Sequence, residues 1–311
     1  FSFLMRMTHQ ALLYRTRTRR PQAGGQHGIP ELARAFHSRV ADALIERWQA
    51  FPNSVSGERI YRHIASSGPA RASELSRWAL VAGEQAGLIH AWSRANTWVE
   101  RVRQVGGSLS EEQSDRLNYL DAGCRMASGE QDARHEARDM FRGLIESSHV
   151  DSRMALLRWL EVSYEEDEKA GLEKLQAELK TVTGHAWPKE AMQEAISFYK
   201  VLVAHRLSTL EGGPTAAVRR LEQLGQVVDA LRLDGSGSKD RFVDLLHARI
   251  MNELALKLFQ LKGDDVPTDR KVRFEQAAQR SLELKQLHGD LPGQAATHGL
   301  MGDYLHFVEG D

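Results

Sequence analysis

The side chains with reactive chemistry are scattered along this chain. Its single cysteine is Cys124, which acts as a nucleophile only if a histidine and an acid approach it in space. Its surroundings favour the other interpretation, in which Cys124 is a small buried residue on a helix. The 13 histidines form no H-E-x-x-H or C-x-x-C ligand set. His298 and His306 are two helical turns apart, too far to share one metal ion without other ligands. We therefore predict no catalytic residue, no metal and no cofactor.

Two segments have the composition of a phosphate-binding element. Residues 235–239 (GSGSK) lack the glycine spacing of G-x-x-x-x-G-K-[ST], which occurs nowhere in the sequence, so a flexible connector is the better interpretation. Residues 15–20 (RTRTRR) form the strongest basic cluster, in which Arg17, Arg19 and Arg20 are candidates for contact with phosphates; a solvated loop is the alternative. The net charge of -1 provides no general excess of lysine and arginine, so nucleic acid is not the expected partner.

The sequence contains no targeting or anchoring signal. No run approaches the roughly 18 apolar residues that span a bilayer, and no charged-then-apolar signal segment precedes a cleavage site. A single cysteine cannot form an internal disulfide, which fits a reducing compartment. We expect a cytoplasmic protein without membrane contact.

The elements that must position these residues are helices. Hydrophobic residues make up 41% of the chain and proline only 8 positions, and apolar residues recur at helical spacing. The stripe of the first helix, residues 29–51, comprises Leu32, Phe36, Val40, Leu44 and Trp48. Two further helices, residues 59–67 and 70–86, flank Gly68-Pro69, and Gly87 is predicted to break the pattern before residues 88–105.

From residue 111 the helices alternate with tight turns. The predicted pairs are residues 111–128 with 131–146, 152–164 with 172–182, 189–210 with 216–233, and 241–261 with 270–287. The interval between turns fits a helical solenoid. Trp48, Trp78, Trp98 and Trp159 fall on apolar stripes and are predicted to lie in the core. The pattern predicts an all-α fold of helix pairs, with a basic, glycine-rich junction (1–28), irregular helical hairpins (29–106) and repeats (107–311).

Residues 271–311 resemble a tetratricopeptide repeat. The resemblance rests on Ser281-Leu282-Glu283-Leu284, on His288-Gly289-Asp290 and on residues 302–311, which run from a glycine to a Gly-Asp turn. It implies a right-handed superhelical α-solenoid of antiparallel helix pairs (TPR-like). Residues 293–308 are then a first helix whose partner helix is missing, which leaves an apolar face with Leu300, Leu305 and Phe307. We expect the remainder of the same polypeptide, or another subunit, to cover that face.

The start of the chain is similar to a second family. Residues 1–14, with Ala11-Leu12-Leu13-Tyr14, precede a basic loop and then His37-Ser38-Arg39-Val40-Ala41. This order resembles the junction between a winged-helix segment and the helical-repeat sensor region of signal-transducing ATPases of the STAND type. The resemblance implies a sensor that binds a ligand or protein, while the nucleotide chemistry lies outside this chain.

In tetratricopeptide arrays the first helices line the concave face, so the resemblance implies that a protein or peptide partner contacts polar residues there. By helical spacing the candidates are Asn118, Asp121, Arg125, Lys200, Arg249 and Asn252, each of which is otherwise an ordinary surface residue. Two functions remain open. The first is a non-catalytic sensor or scaffold region of a larger bacterial regulatory ATPase. The second is a stand-alone adaptor that docks an effector enzyme such as a protease or nuclease.

Overall fold

The computed structural model describes residues 31–52, 54–106, 108–165, 169–182, 190–234 and 240–309. Every regular element within these ranges is helical, which confirms the all-α prediction. The chain forms two compact units; unit 1 ends at Cys124 and unit 2 begins at Arg125. The predicted boundaries at residues 28 and 106 stay predictions, and the junction, including Arg17, Arg19 and Arg20, lies outside the described residues.

Unit 1 contains four complete helices and most of a fifth, and the first four pack on their neighbours along the chain. They are α1 (Glu31–Ala50), α2 (Gly57–Ser67), α3 (Leu75–Leu88), α4 (Trp92–Val105) and α5 (Glu111–Ser128), with a 3-10 turn at Pro69–Glu74 before α3. Ser56 begins α2 because its hydroxyl accepts the backbone N–H of Arg59 at 3.3 Å, a standard N-cap. Gly68 ends α2 at a φ of 97°, as the Gly68-Pro69 pattern predicts. The core is rich in aromatic residues, and Trp78 is 1% exposed.

Two expectations for unit 1 are wrong. Gly87 does not break a helix, because α3 continues to Leu88 and the chain turns at His90, which has a φ of 56°. Gly87 serves close packing instead, since an added Cβ would lie 3.1 Å from Leu120 Cδ1. Leu32 is 70% exposed and Ala33 is buried in its place, so the apolar stripe of α1 begins one residue later than predicted.

Unit 2 continues the helical array with further helices. They are α6 (Gln131–Leu144), α7 (Ser152–Tyr164), α8 (Lys169–Val182), α9 (Glu190–Arg206), α10 (Gly213–Asp234), α11 (Arg241–Gln260), α12 (Arg270–Leu287) and α13 (Leu291–Tyr304), followed by a π-helical turn at Leu305–Glu309. Neighbouring helices pack together, and the alternate helices α7, α9, α11 and α13 also contact one another in that order. Neighbouring helix pairs are therefore confirmed, whereas the right-handed superhelix stays a prediction.

The end of unit 2 differs in part from the predicted open face. Leu300 is buried at 9% exposure, and the ring of Tyr304 stacks on Phe274 with centroids 3.9 Å apart. Leu305 and Phe307 are exposed, as predicted. The helix ends at Tyr304, where the backbone changes to the π-helical turn. Besides the residues of that turn, Leu291 at the start of α13 is also exposed.

Candidate functional site

A charged network on alternate helices of unit 2 is the best candidate for a functional site. Its centre is Glu161 on α7, which accepts hydrogen bonds from two arginines. Arg158, one turn earlier, donates through Nη1 at 2.7 Å. Arg249 on α11 donates through Nη2 to both carboxylate oxygens, at 3.1 and 3.0 Å. The fold thus joins residues that are 88 positions apart in the sequence.

Helical spacing explains why these side chains share one face. Arg158 and Glu161 are separated by three positions on α7, and Arg249, Glu253 and Lys257 recur every four positions on α11, so each set lies on one side of its helix. The ammonium of Lys257 lies 3.0 Å from the Glu253 carboxylate. We call the surface formed by these five residues the charged face of unit 2.

Helix α9 contacts both α7 and α11 and adds aromatic and basic groups to this face. Tyr199 packs edge-on against Tyr164 with ring centroids 5.9 Å apart. Arg206, which is exposed, donates to the Tyr164 carbonyl oxygen at 2.8 Å, and its guanidinium lies 5.5 Å from the centroid of the same ring. Arg206 is therefore fixed by a hydrogen bond and a cation–π contact while it remains accessible.

The electrostatics keep the centre of the face charged. Burial opposes the ionisation of Glu161, but the charges of Arg249 and Arg158 hold its pKa below the usual range. Burial and the charge of Glu161 raise the pKa of the neighbouring Glu165 carboxyl. Burial, with the charge of Glu253, raises the pKa of Tyr164 to about 12. The arrangement therefore holds fixed charges at the centre of the face.

One polar atom at this centre is unsatisfied. Nη1 of Arg249 is buried and has no hydrogen-bond partner within the described part of the chain. Buried donors of this kind are rare in native structures, because each costs about 1–3 kcal/mol when it is left unpaired. Arg249 is therefore the residue of the face that most requires an explanation.

Asn252, also predicted to contact a partner, has a structural role at the junction of three helices. Its side-chain oxygen accepts hydrogen bonds from the Lys285 ammonium at 3.1 Å and from the Thr297 hydroxyl at 2.8 Å. Lys285 also donates to the Thr297 hydroxyl at 2.7 Å. Burial lowers the pKa of Lys285 to about 8. This buried cluster joins α11, α12 and α13.

The other predicted contact residues do not join these two clusters. Asn118 is exposed on α5, whereas Asp121 is 3% exposed and pairs with Arg103 at 2.5 Å. Arg125 forms an ion pair with Glu136, and Lys200 is half-buried on α9. The structure therefore brings only Arg249 to the charged face.

The residues that sequence reasoning missed are Glu161, Arg158 and Tyr199. The signal for Arg158 and Glu161 was the pair of charges within the otherwise apolar stretch 156–162 (LLRWLEV), because a carboxylate on a buried helix face needs a cationic partner. That signal identifies Glu161 as paired, but it does not identify Arg249 as the partner.

Three reactive side chains singled out in the sequence lie in the described part of the chain. Cys124 is buried, as predicted, and burial raises the pKa of its thiol to about 11, which disfavours the nucleophilic thiolate. His298 and His306 are both exposed. Over the described ranges, no three His, Cys, Asp or Glu side chains are placed to hold a metal ion.

Comparisons with protein-family models, with curated proteins and with solved structures found no match to this chain. Within the described residues, no helix has both the length and the apolar character that crossing a bilayer requires.

Proposed function

We propose that this chain is a non-catalytic helical-repeat scaffold that binds a protein or peptide along the charged face of unit 2. The observation that carries the proposal is the clamp of Arg158 and Arg249 on Glu161, in which one Arg249 donor has no partner among the described residues. Side chains already fixed by mutual ion pairs lose little conformational entropy on binding. A partner that supplies an acceptor would satisfy Nη1 of Arg249 once the side chains that bury this atom move aside.

In its more specific form, the proposal makes this chain the sensor region of a larger regulatory ATPase of the STAND type. The resemblances at residues 1–41 and 271–311 support it, as do the contacts between the alternate helices α7, α9, α11 and α13, which are typical of a stacked solenoid. Stacking of this kind also favours the right-handed superhelix. The rest of the same polypeptide, or another subunit, would cover Leu305 and Phe307, which are exposed.

The alternative is a stand-alone adaptor that docks an effector enzyme such as a protease or nuclease. The mass of the natural polypeptide distinguishes the two forms. A mass well above 35.0 kDa, with a phosphate-binding loop upstream of Phe1, would support the sensor. A mass close to 35.0 kDa would support the adaptor.

Site-specific photo-crosslinking tests the binding face itself. A photoreactive phenylalanine analogue replaces Arg206, which is exposed beside the charged face, and in a matched control it replaces Arg219, which is exposed on α10. In the cells that make the protein, we expect a defined crosslinked partner from position 206 and none from position 219. Equal crosslinking at both positions, or none at either, would contradict binding at this face.

A further inference from the structure

Unit 1 contains a cleft that the proposed function does not use. The cleft lies between α2 and α4, has a volume of about 710 Å³, and adjoins a smaller recess of about 170 Å³. Glu58, Thr97 and Trp98 line both spaces, so the two are continuous. The larger space alone is within the range of roughly 300–1,000 Å³ that small-molecule sites occupy, and it is largely open to solvent.

The spacing of charged and aromatic residues builds this cleft. On α2, Glu58 and Tyr61 are one turn apart and point to the same side. On α4, Arg94, Thr97 and Arg101 follow each other at three and four positions, so they form one row along that helix. The two rows face each other across the cleft, and Thr97 is an exposed small residue between two arginines.

The charge of the cleft is basic, and its geometry suits an anion. The Glu58 carboxylate, whose side chain is 16% exposed, forms ion pairs with both Arg62 and Arg94. These two guanidiniums converge on a single carboxylate, which is the arrangement that binds a phosphate or carboxylate with directed hydrogen bonds. Glu58 balances only part of the charge, because Arg101 also lines the recess.

Aromatic rings form the floor of the cleft beside these charges. Tyr61 and Trp98 pack edge-to-face with centroids 5.1 Å apart. The guanidinium of Arg101 lies 5.9 Å from the centroid of each ring, close enough for a cation–π contact with either. Trp92, which is half-buried, lines the larger space. Tyr61 and Trp98 are buried in the core of unit 1, so the half-buried Trp92 is the ring of the lining that offers a flat surface to stack on.

We propose that this cleft binds a small organic anion that carries a planar ring and a phosphate group, which is the chemistry of a nucleotide. The ring stacks against Trp92, and the phosphate binds Arg62 and Arg94, whose guanidiniums converge on Glu58. In the state described here, the Glu58 carboxylate occupies part of the position that the phosphate takes. The site is independent of the charged face of unit 2 and does not rest on the function proposed for that face.

The test measures binding of AMP to the full chain at low salt by calorimetry. Adenosine and inorganic phosphate are matched probes, because each carries one half of the proposed chemistry. We expect AMP to bind at least about tenfold more tightly than either probe alone. No saturable binding of AMP, or tighter binding of a short single-stranded oligonucleotide than of AMP, would overturn the proposal.

Variants distinguish binding of AMP in the cleft from nonspecific binding of anions elsewhere on the surface. Thr97→Trp fills the cleft without removing a charge, and Arg94→Ala removes a phosphate contact; each should weaken AMP binding at least about tenfold. Arg39→Ala, on an exposed position of α1 outside the lining, is the control and should bind as the wild type does. Circular dichroism verifies that each variant is folded. AMP binding that survives Thr97→Trp in a folded protein would overturn the proposal.

Glu58→Gln gives a change in the opposite direction. The amide keeps the shape of the side chain but releases the charges of Arg62 and Arg94, so AMP affinity should rise several-fold. A fall in affinity would show that Glu58 positions the arginines for the ligand rather than competing with it, and would overturn the assigned phosphate position.

Discussion

The two units are both built from packed helices, yet different interactions hold their helices together. In unit 1 the core contacts between helices are largely aromatic, beside ion pairs such as Arg103–Asp121: Trp48 packs edge-on against Trp78 at 5.4 Å, and Tyr61 against Trp98 at 5.1 Å. Unit 2 buries polar groups between its helices. Most of the buried polar side chains that the structure describes belong to unit 2, namely Arg138, Ser163, Asp244, His247, Lys257, Ser281, Lys285 and Thr297.

The difference shows how similar helical patterns can produce units with different properties. Apolar packing has no direction, and it is stabilised by the area removed from water. A buried hydrogen bond between two helices forms only when its donor and acceptor are aligned, so it fixes the position of one helix along the other. In unit 2, Ser281 donates to the Ala248 carbonyl at 2.8 Å, and Arg138 donates to Glu178 at 3.0 Å. We expect unit 1 to depend on side-chain volume and unit 2 to depend on charge, which hydrogen exchange with mass spectrometry can measure in each unit separately.

The largest effect is expected from a cavity in unit 1. Trp78→Ala removes a side chain that is 1% exposed at the centre of the aromatic core. The opening free energy of unit 1 should fall by about 4 kcal/mol, and peptides of unit 1 should exchange faster at every pH. Phe51→Ala, at a 68% exposed position, is the control and should change it by less than about 0.5 kcal/mol. A loss confined to unit 2 would contradict the comparison.

The corresponding change in unit 2 removes a charge and keeps the volume. Glu161→Gln leaves Arg158 and Arg249 without their shared carboxylate, and its side chain is only 22% exposed. Because breaking a buried ion pair leaves uncompensated charge, the opening free energy of unit 2 should fall by about 3 kcal/mol. Glu173→Gln, at a 58% exposed position in the pair with Lys169, is the control. A loss of similar size in both variants would show that the Glu161 cluster has no special role.

The buried lysine predicts a pH dependence in unit 2. Burial lowers the pKa of Lys285 from 10.5 to about 8. Below pH 8 the buried ammonium is therefore charged in the folded state and lowers the free energy of unfolding. That cost is relieved as the pH rises from about 8 towards 10.5, because the unfolded chain then binds the extra proton. At about 1.4 kcal/mol per pKa unit, the full gain is roughly 3 kcal/mol.

Lys285→Met removes the titrating group and keeps much of the volume. Urea unfolding between pH 7.5 and 9.5 should show stability that rises with pH in the wild type and rises less in the variant. The tyrosines of unit 2 are common to both proteins, so their titration cancels in the difference. If the stability of the wild type and that of Lys285→Met rose equally with pH, this interpretation of Lys285 would be wrong.

The local structure of these units was more predictable than their contacts. The bounds of α5, α7 and α12 follow from helical spacing and turn residues, because both signals are local in the sequence. Gly87 was misread as a helix break because its role depends on Leu120, a residue of another helix. The Glu161–Arg249 pair and the Glu58–Arg94 pair each join distant helices. Sequence spacing fixes which face of a helix a residue occupies, but not which helix lies opposite.

The smallest changes in opening free energy are expected from substitutions at two buried glycines, one in each unit. Because both substitutions add the same methyl group, they compare the two units directly. A Cβ at Gly57 in unit 1 would lie 2.8 Å from the backbone nitrogen of Ala82, which cannot move without shifting α3. A Cβ at Gly225 in unit 2 would lie 2.3 Å from Met251 Cε, the end of a flexible side chain. The first contact is with rigid backbone, whereas the second can be relieved by a rotation of the methionine.

Gly57→Ala should therefore lower the opening free energy of unit 1 by about 2 kcal/mol, the usual cost of overpacking. Gly225→Ala should stay within about 0.5 kcal/mol of the wild type, because the gain in helix propensity offsets the movement of Met251. Exchange measured on both variants under the same conditions checks the pair. If Gly225→Ala proved as damaging as Gly57→Ala, volume would limit unit 2 as strictly as unit 1, and the division between a volume-dependent and a charge-dependent unit would fail.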